Sequence, residues 1–174
     1  MIEAVGAACG SPVVDHRRVA GGDVNDALRA ELADGRAVFV KHRRDPPDGF
    51  YAVEAAGLRR LAEGPLGVPV VVAVDDAFLA LEWVDSAPRA VGFDAALGRG
   101  LAQLHALGAP GFGAERTFIG PLALPDPPAE DWATFYGEGR LEPLLRMAVD
   151  ARGLPDAARI ERVIARLPDL CGPP

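Results

Sequence analysis

The order of apolar segments along the chain is the feature that most limits its fold. In the first 84 residues, short apolar stretches between turn residues predict three strands, one helix and two further strands. The predicted elements are strands at 13–20, 27–32 and 36–42, a helix at 50–63, and strands at 68–74 and 77–84. Strands joined by short turns pair antiparallel, and the helix must bury its apolar face on their sheet. We therefore expect an α+β fold, a five-stranded antiparallel sheet with one packed helix.

Glycine and proline mark the ends of several predicted elements. Asp34-Gly35 predicts a two-residue hairpin loop, because both positions tolerate a positive φ. A short helix over residues 1–10 is expected to end at Gly10, since Pro12 blocks its continuation.

The composition changes after residue 84, and the second half of the chain is predicted to be mainly helical. Residues 85–91 predict a hinge between an N-lobe at 1–84 and a helical region at 92–174. The predicted helices lie at 93–107, at about 130–152 with a kink or break at Pro143, and at 156–167 with an end at Pro168. Residues 108–130 predict a long loop rich in glycine and proline.

Glu54 lies in a predicted helical stripe that is otherwise apolar, formed with Phe50, Leu58 and Leu61. A carboxylate buried there without a partner would cost several kcal/mol. Lys41 ends the third predicted strand, which should pack under this helix. An ion pair would satisfy both groups and leave the ammonium available for nucleotide phosphates. The alternative is that Glu54 reaches the helix edge and Lys41 points to solvent.

Two further segments are candidate nucleotide contacts. Gly21 and Gly22, followed by Asn25, suit a loop whose backbone amides face a phosphate, although they also suit an ordinary hairpin turn. Glu82 and Val84 end the fifth predicted strand, where the Glu82 carbonyl and the Val84 amide are candidate contacts for adenine. The alternative is that this segment is simply the end of a buried strand.

The helix predicted near residue 130 carries a mixed aromatic and charged stripe. Its members are Asp131, Trp132, Phe135, Tyr136 and Arg140. They suit one side of a substrate cleft, or a helix start with Asp131 in the first turn and the aromatic residues in a core. His105 is interpreted as a core histidine rather than a catalytic one, because no acid or nucleophile is placed beside it.

Charge and cysteine content exclude several classes of function. The 25 acidic and 18 basic residues give a net charge of −7, which argues against nucleic acid and anionic membrane as partners. No apolar stretch reaches membrane-spanning length, and the first residues lack the basic region of a signal peptide. Cys9 and Cys171 are too few for a disulfide framework or a zinc site. We expect a cytoplasmic protein with two reduced thiols.

Several short stretches occur in an order that is typical of one enzyme family. They are Gly21-Gly22-Asp23-Val24-Asn25, Phe39-Val40-Lys41, residues 54–61, Leu101-Ala102-Gln103-Leu104-His105, and Asp131-Trp132 through Phe135-Tyr136 to Arg140-Leu141 and Pro143. The last combination, placed after a Leu-His helix, is the most specific. On these residues, and over nearly all of its length, the chain resembles the fructosamine/ketosamine-3-kinase family. That family has a protein-kinase-like fold related to aminoglycoside phosphotransferases.

The resemblance implies phosphorylation of the sugar 3-hydroxyl of ketosamines with ATP and Mg²⁺. The substrates would be fructosamine or ribulosamine adducts, including those on glycated protein lysines, so that the reaction would serve deglycation repair. Lys41 would hold the α- and β-phosphates, Glu54 would position Lys41, and Gly21 and Gly22 would cover the phosphates. The expected cofactor-binding residues are Gly21, Gly22, Asn25, Lys41, Glu54, Glu82 and Val84, and the expected substrate-side residues are Asp131, Trp132, Tyr136 and Arg140.

The chain departs from the family's pattern in its catalytic loop. The family continues with His-Gly-Asp-Leu-Trp-x-Gly-Asn and a later metal-binding aspartate, but His16, His42 and His105 are not followed by Gly-Asp. We therefore identify no catalytic residue and no metal ligand in this chain. The resemblance implies a nucleotide-binding N-lobe and the first helices of an incomplete C-lobe, weak or inactive alone.

Two other functions stay open. One is a truncated, non-catalytic module that binds nucleotide or a partner chain, since apolar faces are expected to be exposed on the helices at 93–107 and 156–167. The other keeps the fold but phosphorylates an aminoglycoside or a choline-like alcohol.

Overall fold

The computed structural model describes residues 1–20, 24–113, 116–125, 128–151, 153 and 156–171. The chain divides into two compact units, Met1–Gly108 and Ala109–Pro174. The hinge predicted over residues 85–91 stays a prediction. The helices of the first unit, in its described part, are α1 Ile2–Cys9, α2 Phe50–Leu61 and α3 Phe93–Ala106.

The first unit is built on one five-stranded sheet. Its strands are β1 Val13–Arg18, β2 Asp26–Leu32, β3 Ala37–His42, β4 Val71–Val74 and β5 Phe78–Glu82. The order in the sheet is β1-β2-β3-β5-β4, so β5 lies between β3 and β4, and every pairing is antiparallel. The predicted five-stranded antiparallel sheet is confirmed.

One face of this sheet is covered by α1. The helix ends at Gly10, whose φ of 74° is a left-handed value that glycine adopts without strain. Val5 and Cys9 of α1 pack with β2, β3 and β5 into one apolar core. Its other buried members are Leu28, Ala30, Leu32, Val38, Val40, Phe78 and Ala80.

The opposite face of the sheet carries Lys41. Side chains alternate along β3, and because Val38 and Val40 belong to the core under α1, Lys41 points away from it. Lys41 pairs with Ala27 of β2 on one side and Leu79 of β5 on the other. The register therefore places a single cation between two small or apolar neighbours in the middle of the sheet.

Helix α2 buries only part of the stripe that was predicted. Phe50, Tyr51 and Ala55 are buried, whereas Leu61 is 44% exposed. Glu54 therefore lies at the border of the buried face rather than at its centre. The prediction was wrong because apolar character alone does not show that Tyr51, with its hydroxyl hydrogen-bonded, is buried in preference to a leucine.

The hairpin between β2 and β3 has a three-residue loop, residues 33–35, instead of the predicted two-residue loop. The Leu32 amide donates to the Arg36 carbonyl at 2.8 Å, and the Gly35 amide donates to the Leu32 carbonyl at 2.9 Å. Gly35 has a φ of 87°, the left-handed conformation that the last residue of such a loop requires.

Helix α3 exposes part of its apolar side, as the sequence led us to expect. Leu97 and Leu101 are 38% and 39% exposed, and His105 is also exposed, so the interpretation of His105 as a core histidine is wrong. Gly100 is buried against Leu66, where an added Cβ would lie 2.3 Å from Leu66 Cδ2. Helix α3 thus contacts the rest of the unit through Gly100 and through Leu104, which packs closely on Gly64, while Leu97 and Leu101 stay more exposed.

The second unit combines a hairpin with short helices. Its described elements are β6 Arg116–Ile119, β7 Leu122–Pro125, α4 Trp132–Tyr136, a π-helical segment Gly137–Leu141, α5 Glu142–Asp150 and α6 Ala157–Cys171. The antiparallel hairpin of β6 and β7 replaces part of the loop predicted over 108–130. Four-residue strands are too short to show a period, and Gly120 turns between them with a φ of 56°.

The helix predicted over 130–152 is irregular next to Pro143, as predicted, whereas Pro168 acts differently from the prediction. The break in the helix predicted over 130–152 comes in the π-helical segment, before Pro143. Pro143 lies in the first turn of α5, where a missing amide proton costs nothing. Pro168 does not end α6, which continues to Cys171. A proline near the end of a helix removes one backbone hydrogen bond, and the remaining turns are retained.

Candidate active site

The structure brings Lys41 and Glu54 together. The Lys41 Nζ atom lies 2.5 Å from Glu54 Oε1, joining the end of β3 to the second turn of α2. The two side chains are 28% and 32% exposed, so the pair is neither sealed in the core nor free in solvent. An ammonium has three N–H donors, and this bond accounts for one of them. The pair thus holds the Lys41 ammonium in a fixed position that solvent and solutes can reach.

A further signal in the sequence marks Lys41, although the reasoning from motifs missed it. Lys41 is the only lysine among the 18 lysine and arginine residues of the chain. Arginine supplies every other basic position, and the two side chains differ in shape, donor geometry and hydration. A position that keeps lysine in such a sequence indicates a need for a compact ammonium.

Tyr51 connects α2 to the start of β2. Its hydroxyl donates to Asn25 Oδ1 at 3.0 Å. Burial raises the pKa of Tyr51 to about 12; the nearby Arg43 charge lowers it and the Glu54 carboxylate adds to the rise. Asn25, a predicted cofactor-binding residue, is therefore held in the same cluster as Glu54. The other predicted members of that loop, Gly21 and Gly22, lie outside the described residues.

Arg43 adds a second cation to this cluster. Its guanidinium lies 5.6 Å from the centre of the Phe50 ring at the start of α2. Its Nε and Nη1 atoms are buried and, within the part of the chain that the structure describes, have no hydrogen-bond partner. Sequence reasoning missed Arg43, which follows Lys41 by two positions just past the end of β3.

An aromatic and cationic layer covers the same face of the sheet beside Lys41. The Trp83 ring lies 6.4 Å from the Phe39 ring, and the Arg29 and Arg17 guanidinium groups lie 5.2 and 6.0 Å from its centre. The register explains the arrangement, because Arg17 pairs with Arg29 and Arg29 pairs with Phe39. Phe39 stands two positions before Lys41, so both project from one face. Sequence reasoning missed this layer, although the period of two along β3 is a signal that places Phe39 and Lys41 on one face.

The segment predicted to meet adenine flanks Trp83. The Glu82 amide donates to the Val70 carbonyl at 2.8 Å, and Glu82 Oε2 accepts from the Val70 amide at 3.2 Å. The Trp83 amide donates to the Ala37 carbonyl at 3.3 Å, which extends the pairing of β5 with β3. Val84 is exposed. Contacts of Glu82 and Val84 with adenine stay a prediction.

In the second unit, Asp131 caps helix α4. Its Oδ1 atom accepts from the Thr134 amide at 2.9 Å, and its Oδ2 atom accepts from the Thr134 hydroxyl at 2.8 Å. The backbone hydrogen bond from Thr134, then the bond from its hydroxyl, lowers the pKa of Asp131 below its ordinary value. This is the helix-start interpretation of the residue, and a substrate contact of Asp131 stays a prediction.

Trp132 and Tyr136 form a stacked pair on α4. Their ring centres are 5.2 Å apart with 13° between the planes, and both residues are exposed. Phe112 and Phe135 complete the cluster, with centres 5.8 and 5.3 Å from Trp132. The two predicted substrate-side aromatic residues therefore lie together and present ring surface to solvent.

Arg140 packs beside this cluster. Its guanidinium lies 4.6 Å from the centre of the Phe135 ring. Nη1 donates to the carbonyls of Gly139 at 2.9 Å and Pro125 at 3.3 Å. These bonds tie the π-helical segment to the end of β7 and give Arg140 a structural role in the unit. Its predicted substrate-side role stays a prediction.

Comparison with known proteins identifies the family. A sequence model of the family described as fructosamine kinase matches residues 3–172. The chain belongs to the fructosamine kinase family. It is 35% identical over 130 residues to a probable ketoamine kinase of Thermus thermophilus, an alignment that covers 75% of this chain and 47% of that protein. It is 32% identical over 144 residues to a chloroplastic protein-ribulosamine 3-kinase of Arabidopsis thaliana, covering 78% of this chain and 44% of that protein.

The fold agrees with this family. A crystal structure from Thermobifida fusca, of a protein assigned as a fructosamine-3-kinase, is 36% identical with a TM-score of 0.89 and covers 100% of this chain and 63% of its own. The fold is therefore that of the protein-kinase-like fructosamine kinases. The chain spans about half the length of the curated relatives that it matches. Over the helices that the structure describes, none is long and apolar enough to cross a membrane.

Membership of a kinase family implies the use of ATP, and the described residues fit part of that cofactor. The fixed ammonium of Lys41 is suited to phosphate oxygens. A metal site is not found among the described residues. In those ranges, no group of three or more histidine, cysteine, aspartate or glutamate residues is placed to hold a metal ion. Phosphate binding at Lys41 and the ligands of Mg²⁺ stay predictions.

Replacing Asp131 with alanine is expected to lower the thermal stability of the protein at neutral pH, because the cap of α4 is lost. The native pKa of Asp131 is below 3.8, its ordinary value, so its stabilising effect is complete above that pH and declines as the pH falls through the native pKa. Thermal melts across this range should therefore show the difference between wild type and Asp131→Ala shrinking in acid.

Asp131→Asn is the matched control for this prediction. An asparagine caps the helix with its neutral carbonyl, so most of the stability should be retained and its pH dependence should disappear. An Asp131→Ala difference that is the same in neutral and strongly acidic buffer would contradict the assignment of the cap.

Proposed function

We propose that the protein transfers the γ-phosphoryl group of MgATP to the sugar 3-hydroxyl of a ketosamine, with Lys41 and Glu54 as its phosphate-holding pair. The observation that carries the proposal is the partly exposed ion pair between the end of β3 and α2. Family membership and the names of relatives, a ketoamine kinase and a ribulosamine 3-kinase, support the acceptor class. Repair of glycated proteins in the cytoplasm would follow from that acceptor.

The contribution of Lys41 would be electrostatic. Phosphoryl transfer needs alignment and neutralisation of phosphate charge more than covalent help from the protein. Glu54 holds the ammonium on one N–H, which leaves the others for phosphate oxygens and removes the entropy cost of ordering a long side chain.

The single lysine permits a direct test of nucleotide binding. An acyl-phosphate derivative of ATP, which acylates amines close to its phosphates, should modify Lys41, and excess ATP should protect it. Peptide mass spectrometry then measures acylation at a single side-chain amine, that of Lys41. The N-terminal amine is an internal control, because its acylation should not depend on ATP. Labelling of Lys41 that ATP does not reduce would contradict the nucleotide site.

The acceptor is tested separately by phosphorus NMR of the protein with MgATP and fructosyl-lysine or ribulosyl-lysine. Formation of a sugar 3-phosphate is the expected result. An aminoglycoside and choline, supplied under the same conditions, test the alternative acceptors. Phosphorylation of one of these in preference to both ketosamines would overturn the proposed acceptor while leaving the nucleotide site intact.

A second candidate, a non-catalytic module that binds a partner chain, is favoured by one observation. Leu97 and Leu101 of α3 are more than a third exposed on one side of the helix. Nucleotide protection of Lys41 without any ketosamine phosphorylation, combined with a concentration-dependent increase in mass by analytical ultracentrifugation, would favour this candidate.

A further inference from the structure

Tyr51 carries a buried hydroxyl that packing alone does not require. The residue is 1% exposed in the first turn of α2, and a phenylalanine would fill the same volume. Buried tyrosine hydroxyls need a hydrogen-bond partner, and this one donates to Asn25 Oδ1 at 3.0 Å. The hydroxyl therefore makes a specific connection between two segments that are 26 residues apart.

The connection persists over the whole physiological pH range. The phenol keeps its proton because burial raises the pKa of Tyr51 to about 12. The charges of the Arg43 guanidinium and the Glu54 carboxylate both act on the phenol. Tyr51 is thus a permanent donor within the cluster that contains Glu54.

The position of Asn25 links this hydrogen bond to the strand that lies beside Lys41. Asn25 directly precedes β2, and Ala27 of β2 is the strand partner of Lys41. Tyr51 and Glu54 stand three positions apart on α2 and so are neighbours on one helix face. The ion pair joins α2 to β3, and the Tyr51 hydrogen bond joins α2 to the start of β2. Because β2 also pairs with β3, these three contacts form a closed ring around Lys41.

We propose that the Tyr51 hydroxyl is a positioning group, which fixes the start of β2 to α2 through Asn25 and so sets the affinity of the nucleotide site. The inference rests on the proposed function, because it concerns the same site. Tyr51 does not touch the phosphates itself. It acts by keeping the segment that enters β2 in register with the helix that holds Lys41.

Tyr51→Phe tests the positioning role with a small change in volume. The loss of one hydrogen bond is expected to weaken the binding of a non-hydrolysable ATP analogue by about two- to tenfold in titration calorimetry. Hydrogen exchange by mass spectrometry, without nucleotide, should show faster exchange of the amides at residues 24–28. The exchange measurement does not depend on nucleotide binding, so it separates the local connection from the function of the site.

Ser11→Ala is the matched control. Ser11 is also buried, and its Oγ atom accepts from the Asp34 amide at 3.1 Å, at the loop between β2 and β3. Its replacement should cost stability without changing nucleotide affinity. A double-mutant cycle adds specificity: once Asn25 is alanine, Tyr51→Phe should have almost no further effect on affinity, because the hydroxyl has lost its acceptor.

The outcomes separate the two proposals. Weaker nucleotide binding and faster local exchange in Tyr51→Phe, with neither in Ser11→Ala, support the positioning role. Unchanged affinity in Tyr51→Phe, or an equal loss in Ser11→Ala, overturns it while the nucleotide site stands. A wild-type protein that binds no ATP analogue overturns the proposed function and the positioning role with it, even if the exchange at residues 24–28 responds to Tyr51→Phe.

Discussion

Lys41→Met is expected to reduce phosphoryl transfer by about 10²–10³-fold while the protein stays folded. Methionine preserves most of the length and apolar surface of the side chain but supplies no charge to the phosphates. The substitution leaves Glu54 about a third exposed, so the carboxylate can be hydrated and the fold should tolerate the change. The measurements are the rate of transfer to a ketosamine, the affinity for the ATP analogue, and circular dichroism as evidence of folding.

Two variants sharpen this prediction. Lys41→Arg should keep an ion pair with Glu54 and still lose activity, because a planar guanidinium cannot place its donors as an ammonium does. Arg59→Met removes an exposed cation of α2 and should leave the rate unchanged. A Lys41→Met protein with the wild-type rate, or an Arg59→Met protein that loses as much, would exclude Lys41 as the phosphate-holding group.

The elements around Lys41 were predictable because each has a local physical cause. Dense β-branched and aromatic residues define β3, and turn residues isolate it on both sides, so its place in an antiparallel sheet follows from short connections. A carboxylate on an apolar helix needs a cation, and Lys41 was the cation that the order of elements put beneath it. Glu54 was therefore found although the buried stripe of α2 was assigned in part to the wrong residues.

Other parts of the site depend on contacts that sequence spacing does not show. Tyr51 meets Asn25 across 26 positions, and Trp83 meets Arg29 across three strands of the sheet. Neither pair has a local signal, since each arises from the order β1-β2-β3-β5-β4 and the resulting register. Pro168 shows a different limit. Proline is rightly treated as a helix breaker in the middle of a helix, but near its end the cost of one lost hydrogen bond is small enough for α6 to continue.

Phe78→Ala is expected to lower the free energy of unfolding by about 3–5 kcal/mol. Phe78 is 1% exposed and is one of the largest side chains in the core between α1 and the sheet. Truncation removes its buried surface and leaves a cavity that the neighbouring strands can fill only in part. Because domains of this size are stable by about 5–15 kcal/mol, the loss should be visible as a large shift of the urea midpoint.

The same substitution separates stability from chemistry in this protein. Phe78 and Leu79 are successive residues of β5, one facing the core under α1 and the other pairing with Lys41 on β3. Damage to the core should therefore reach Lys41 only through unfolding, so nucleotide binding by Phe78→Ala should recover fully at low temperature or on addition of a stabilising osmolyte. Phe93→Ala, which truncates an exposed phenylalanine of α3, should shift the midpoint far less. If Phe78→Ala is fully folded yet still fails to bind nucleotide, the claim that the core affects Lys41 only through unfolding is wrong.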